Sequence, residues 1–218
     1  MELNLDLNEI KRYLKYDTDI LDEVTQNNLV KALALVKEVV QPKYISQKYP
    51  LTIKDNEVII EQTVLTFNSI DLRKHLQQCD EVVLLVATLG LELDKLIKKL
   101  EITDLSLAYL VNGVAIEYLE KYLDYLQENE LAFAKNQTAR YSIGYGDLDL
   151  SYQEALIKVL DATKKIGVNV LPSHLMIPSK SVSAIIGLSH HQVTNDLRKC
   201  PNCLASGKCS NRCIGKDE

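Results

Sequence analysis

The stretch that decides how this chain is read is Arg140-Tyr141-Ser142-Ile143-Gly144-Tyr145-Gly146-Asp147. Glycines and aromatics ahead of a helix often make a turn and nothing more. The same residues also suit a ligand loop. Gly144 and Gly146 carry no β-carbon, so backbone there can approach a bound molecule closely. Arg140 brings a planar fork of donors matched to a carboxylate, and Tyr145 brings an aromatic face. Spacing alone leaves the turn and the ligand loop both open.

The flanks set that loop in a fold. Downstream, Ser151 with Glu154 three residues on has the pattern of a capping box, and Leu150 with Ala155 supplies an outside staple, so a helix is predicted from Ser151. Gly167, following Ile166, provides its left-handed stop. Two extended pieces come next, Val168 to Ile177 and Ser181 to Leu188. The turn at Pro178-Ser179-Lys180 predicts that they pair as a hairpin. Upstream, Ala108, Val111, Val114 or Ala115, Tyr118, Tyr122 and Leu126 recur at helical period, predicting a helix over Leu105 to Leu126 with Glu117 beside the apolar stripe.

Further upstream, Glu81 to Thr88 is a β-branched apolar run that suits a buried strand, and Gly90 turns the chain into a short helix over Leu91 to Leu100. A short helix is predicted around Asp71 to Gln78. Leu51 to Phe67 alternates in short pieces, with Val58 to Ile60 and Val64 to Phe67 reading as strands and Asp55-Asn56 as a turn. Helical spacing marks Asn8 to Tyr16 and Asp22 to Val40, and Pro42 ends the second run. Residues 1–197 therefore read as one α+β domain and residues 198–218 as a cysteine-bearing tail.

The bulk numbers narrow the function. Of 218 residues, 46% are hydrophobic and 25% charged, an ordinary globular balance. A net charge of −5 with no Lys/Arg run argues against nucleic acid, which requires a basic face. The apolar run Val82 to Leu89 is too short to span a bilayer. Met1 to Asp6 carries acids where a signal peptide carries bases, so a cytoplasmic protein without membrane partners is expected.

Four of the five cysteines fall at Cys200, Cys203, Cys209 and Cys213, while Cys79 stands apart. A disulfide framework would be spread through the fold, so this cluster reads as a metal site. Four thiolates fit tetrahedral zinc and equally an iron–sulfur cluster. The adjacent His190-His191 reads more simply as solvent-facing than as a ligand source.

Several motifs in order carry a resemblance. Arg140-x-x-x-Gly144-Tyr145, a helix ending in Ile166-Gly167-Val168, and Met176-x-Pro178-x-x-Ser181-Val182-Ser183 together resemble the S-adenosylmethionine-binding activation domain of cobalamin-dependent methionine synthase. Gly144-Tyr145-Gly146-Asp147-Leu148, Lys180 to Gly187 and Thr88-Leu89-Gly90 look closer still to stand-alone versions of that domain. The resemblance extends over the body of the chain to about Ser189. It implies a bent mixed or antiparallel sheet flanked by helices.

The resemblance also implies roles. Arg140 would grip the methionyl carboxylate or nearby ligand backbone, and Gly144 and Tyr145 would line the same pocket. Glu117 would pair with the ligand's ammonium group, or stand as a solvated carboxylate at the helix edge. Lys180, Ser181 and Ser183 fall on the Ser-Val-Ser stretch, and Ser181 and Ser183 would join the residues that bind the ligand. Full-length synthases have proline where Ile143 stands, Pro-Asp-His where Gly146-Asp147-Leu148 stands, and an aromatic where Ile185-Ile186 follows. The adenine and sulfonium end of the pocket is thus the part the resemblance defines least.

The chain carries no Asp-x-His-x-x-Gly cobalamin signature and no recognisable homocysteine zinc motif, so a complete methionine synthase is not expected. The implied function is that of an accessory component of that methyltransferase. It would use S-adenosylmethionine for reductive methylation of oxidised cobalamin on a separate methionine synthase or corrinoid protein. The electron would come from a low-potential donor such as flavodoxin or ferredoxin. Two other readings stay open: a regulatory or electron-transfer module that binds S-adenosylmethionine or a corrinoid without methyl transfer, and a metal-stabilised interaction protein.

Overall fold

A computed structural model describes residues 3–16, 21–55, 57–131 and 136–190. The tail at 198–218, with Cys200, Cys203, Cys209 and Cys213, lies outside the described residues, as does His191. The chain runs α1 (Leu7–Tyr13), α2 (Glu23–Val39), β1 (Lys43–Lys54), β2 (Glu57–Ile60), β3 (Thr66–Asn68), α3 (Ile70–Leu76), β4 (Glu81–Thr88), α4 (Leu91–Thr103) and α5 (Leu105–Tyr125). It continues through a π-helical turn (Leu126–Glu130), β5 (Asn136–Gln137), β6 (Tyr141–Ser142), α6 (Tyr152–Leu160), α7 (Ala162–Ile166), β7 (Asn169–Val170), β8 (Met176–Ile177) and β9 (Ser181–Ser189). This is the mixed α+β fold expected. Its described residues group into two compact units, one drawn from those up to Lys43 with those of Ala87–Glu130 and Ile177–Ser181, the other from those of Tyr44–Val86 and Leu131–Met176 with those from Val182 to residue 190.

The first unit is organised by α5. Asp104 opens this helix by accepting the Leu107 N–H at 3.0 Å, satisfying one of the donors that a helix start leaves over. Leu107, Leu110, Val111, Val114, Leu119 and Leu123 are all buried, because α1, α2 and α4 each pack on α5. Each such side chain contributes about 1.5–3 kcal/mol of burial. Gly113 is where α1 comes close: a β-carbon there would stand 2.6 Å from Leu14 Cγ. Asp22 caps α2 by accepting the Thr25 N–H at 2.9 Å, and the helix ends at Val39, ahead of Pro42.

The sheet has the order β3-β2-β1-β4-β9-β5, and β6 also pairs with β9. The β1–β2, β2–β3, β5–β9 and β6–β9 pairings are antiparallel. Val82 to Thr88 of β4 are all buried, which explains an unbroken apolar run in place of alternation. In the second unit Phe67, Leu72, Leu84, Tyr141, Leu156 and Ile185 belong to one apolar core.

Three local expectations are corrected. Val168 to Ile177 does not form a hairpin with Ser181 to Leu188: β8 pairs with β7. The first piece turns back on itself at residues 171–175, where Pro172 offers no N–H, His174 takes a positive φ of 63°, and Leu171 N–H bonds Leu175 C=O at 2.8 Å. The capping box is also absent. Ser151 makes no side-chain cap, its own N–H being accepted by Asp149 Oδ1 at 2.8 Å, and Glu154 pairs with Lys158 at 2.7 Å. Finally, the helix to Ile166 breaks into α6 and α7 at Asp161, which is left-handed; Gly167 does supply the stop, at φ 77°.

Candidate functional site

In the second unit the loop between β6 and α6 is cross-braced by its own backbone. Tyr145 N–H donates to Ser142 C=O at 3.1 Å, Leu148 N–H to Tyr145 C=O at 2.9 Å, and Gly144 N–H to Leu148 C=O at 3.0 Å. The Tyr141 hydroxyl donates to the Tyr145 carbonyl at 3.1 Å. Gly144 has φ 90° and Gly146 φ 54°, conformations that side-chain-bearing residues adopt only with strain. A β-carbon on Gly146 would also lie 2.6 Å from both Asp71 Oδ2 and the Tyr141 hydroxyl oxygen. The loop presents Gly144, Tyr145 and Gly146 to solvent, with Tyr145 57% exposed, while Tyr141 and Ile143 point into the core. Arg140, half-buried, immediately precedes β6. Arg140, Gly144 and Tyr145 thus lie on one short ribbon with a rigid base and an open face.

Two residues that the sequence did not single out hold this ribbon. Asp147 sits over the start of α3, where its carboxylate accepts the Ser69 hydroxyl, the Ile70 N–H at 2.8 Å and the Asp71 N–H at 3.2 Å. Some burial pushes this carboxyl up, but the Ser69, Ile70 and Asp71 donors outweigh it and bring it below the usual range. Ser69 caps the same helix by accepting the Leu72 N–H at 2.9 Å. At the other end of α3, His75 Nε2 lies 2.9 Å from the carbonyl of Ala139, the residue before Arg140. The Asp in Gly-Tyr-Gly-Asp-Leu was the one sequence hint of the first contact; nothing local hinted at the second.

The remaining expected site residues are placed as follows. Ser183, in the second unit, is buried with its hydroxyl 3.0 Å from Gln153 Oε1. Ser181, in the first, is buried 2.6 Å from the Pro178 carbonyl and 2.8 Å from the Thr88 hydroxyl. Lys180 Nζ donates to Asn112 Oδ1 at 2.7 Å, and burial lowers its affinity for a proton despite nearby Asp94. Glu117, also in the first unit, is only 1% exposed and so is not a solvated helix-edge carboxylate. It accepts the Asp6 N–H at 3.0 Å, and Lys121 Nζ lies 3.8 Å away. Burial pushes its carboxyl above the ordinary range, against the pull of both neighbours. Among the described residues no group of three or more His, Cys, Asp or Glu stands together as a metal site. Among them, too, no helix is long and apolar enough to cross a membrane.

Residues 110–195 match the family described as vitamin B12 dependent methionine synthase, activation domain. That stretch is similar to the activation-domain family. It contains Glu117, Arg140, Gly144, Tyr145, Ser181 and Ser183, and stops short of the cysteines. The fold agrees with a solved activation domain, the MetH reactivation domain bound to AdoHcy. The match has 16% sequence identity and a TM-score of 0.62, and it covers 85% of this chain and 71% of that one. At this identity the likeness is one of fold. No curated protein matches the chain.

Proposed function

We propose that this chain binds S-adenosylmethionine and serves the reductive methylation of cobalamin held by a separate methionine synthase or other corrinoid protein. The observation that carries the reading is the activation-domain match over residues 110–195, which spans the Arg140–Tyr145 ribbon. The similar fold of a reactivation domain bound to AdoHcy, the product left when S-adenosylmethionine gives up its methyl group, supports it.

The ribbon fits such a ligand. Gly144 and Gly146 occupy backbone conformations that leave the solvent side clear, so a ligand's main-chain-like methionyl end can lie against them. Arg140 would hold the carboxylate through charge-assisted hydrogen bonds. Tyr145 would cover the ligand with its exposed ring. Ser181 and Ser183 would act chiefly by holding their strand in place. The bound sulfonium supplies an activated methyl group whose leaving group is a neutral thioether. This chain's residues then need only orient it, a contribution that requires no acid or base. The electron would come from a low-potential donor such as flavodoxin or ferredoxin.

Titration calorimetry with S-adenosylmethionine tests the binding. Formation of methylcobalamin on a corrinoid protein, with a reductant present, tests the transfer. Reaction with free cobalamin as fast as with any corrinoid protein would argue against docking in trans. The four cysteines of the tail favour a second reading, in which the chain binds S-adenosylmethionine or a corrinoid and passes electrons or regulates, with no methyl transfer. Binding without methylcobalamin formation would select it.

A further inference from the structure

His75 is a titratable side chain that the reading above leaves unused, and its setting is unusual. It sits on α3 with 3% exposure, and its ring packs at a tilt against Tyr141, 5.2 Å between centroids. Nε2 lies 2.9 Å from the Ala139 carbonyl oxygen. A carbonyl can only accept, so Nε2 must carry the hydrogen, and Nδ1 is then a lone-pair acceptor. That Nδ1 is buried and, among the described residues, has no hydrogen-bond partner. Burial in turn lowers the ring's affinity for a proton, with the Ala139 carbonyl opposing. A buried nitrogen without a partner costs stability, and a leucine or phenylalanine would avoid that cost.

What Nε2 does is help to fix the peptide between Ala139 and Arg140. The carbonyl before Arg140 is held from two sides: the Thr138 hydroxyl donates to it at 2.9 Å, Thr138 itself being bonded to Gly187 of β9, and His75 reaches it from α3. The same helix donates the N–H groups of its first turn to the Asp147 carboxylate. One rigid segment therefore holds both ends of the ribbon that bears Arg140, Gly144 and Tyr145. We infer that His75 is a positioning residue that sets where the Arg140 guanidinium stands, by donating from Nε2 to the Ala139 carbonyl. The inference rests on the proposal that Arg140 grips the carboxylate of S-adenosylmethionine.

The test is a double-mutant cycle read by calorimetry with S-adenosylmethionine, using the full chain. His75→Leu removes the donor and should weaken binding about tenfold. His75→Gln can place an amide N–H near the former Nε2 and should bind within about threefold of the wild type. Arg140→Ala should bind weakly, and adding His75→Leu to it should cost nothing further, because the histidine acts through the arginine. A full tenfold loss from His75→Leu in the Arg140→Ala background overturns the inference while leaving ligand binding intact. So does a His75→Gln variant as weak as His75→Leu despite unchanged circular dichroism. Arg140→Ala with wild-type affinity, or a wild type that does not bind S-adenosylmethionine, overturns the functional reading and this inference with it.

Discussion

Asp6 donates its backbone N–H to Glu117 Oε1 at 3.0 Å, so the start of α1 is tied to a carboxylate buried on α5. Replacing Glu117 with Ala leaves that N–H without its acceptor and should cost about 1–3 kcal/mol in chemical denaturation. Glu117→Gln keeps an acceptor and separates the bond from the charge. Because burial raises the folded carboxyl's pKa, its contribution to stability is full below the unfolded pKa and is lost as pH rises through the folded one. The stability of Glu117→Gln relative to wild type should therefore improve as pH rises above the ordinary carboxylate range. A difference that stays flat with pH would show that Glu117 does not titrate abnormally.

Arg140→Ala should weaken S-adenosylmethionine binding by roughly 2–4 kcal/mol if the guanidinium makes a desolvated, charge-assisted pair. Calorimetry that finds equal affinity removes Arg140 from the ligand.

Gly144→Val acts on both stability and binding. At φ 90° a β-branched residue is strained by about 1–3 kcal/mol, and its β-carbon would stand 3.1 Å from Leu150 Cδ1. Thermal unfolding should show the first effect. Ligand affinity should fall at least as far as in Arg140→Ala, and a folded Gly144→Val protein with full affinity would place the ligand elsewhere.

Asp147→Ala deprives the first turn of α3 of an acceptor shared by three donors and should cost about 0.5–2 kcal/mol. Its carboxyl is held below the usual range, so this contribution is present above the unfolded pKa and disappears as pH falls through the folded one. The difference between wild type and variant should accordingly shrink in strongly acidic denaturation series; a gap that persists there would mean that the charge is not what holds the helix.

The cysteines give a chemical prediction. Cys79 is 9% exposed, and burial, with Asp80 nearby, raises its thiol to about 11. In folded, chelated protein Cys200, Cys203, Cys209 and Cys213 should react with a thiol reagent, and Cys79 only after unfolding. Anaerobic purification should yield either one zinc or a coloured iron–sulfur protein, and Cys203→Ser should lose the metal while still binding S-adenosylmethionine. A metal-free protein that shows four reactive thiols as purified would end the metal assignment.

How far the sequence was legible depended on where each element finds its partners. β4 was readable end to end, because a strand covered on both faces must be apolar throughout. α5 was readable because its period is long and unbroken. β1 was mostly missed: Lys43, Gln47, Lys48 and Pro50 interrupt any alternation, and its residues are largely half-buried or exposed. The capping box failed because Asp149 took the Ser151 N–H first. At the candidate site, Arg140, Gly144 and Tyr145 were legible as residue types suited to a ligand. Their supports were not, because His75 reaches Ala139 across 64 residues and Asp147 reaches Ile70 across 77.

The interleaved chain path shapes how this protein can be made. Each compact unit draws on three separated runs, and the first is finished only when Ile177–Ser181 has been synthesised. A ribosome releasing the chain from its N-terminus delivers α2, with Leu29 and Val36 awaiting cover, well before the whole of α5. At ordinary translation speeds that interval is on the order of ten seconds. Until α5 arrives, α1 and α2 lack the helix on which both pack. Fragments cut at residue 43 or at residue 86 should be poorly soluble, so expression of either half alone is a poor route to a working piece.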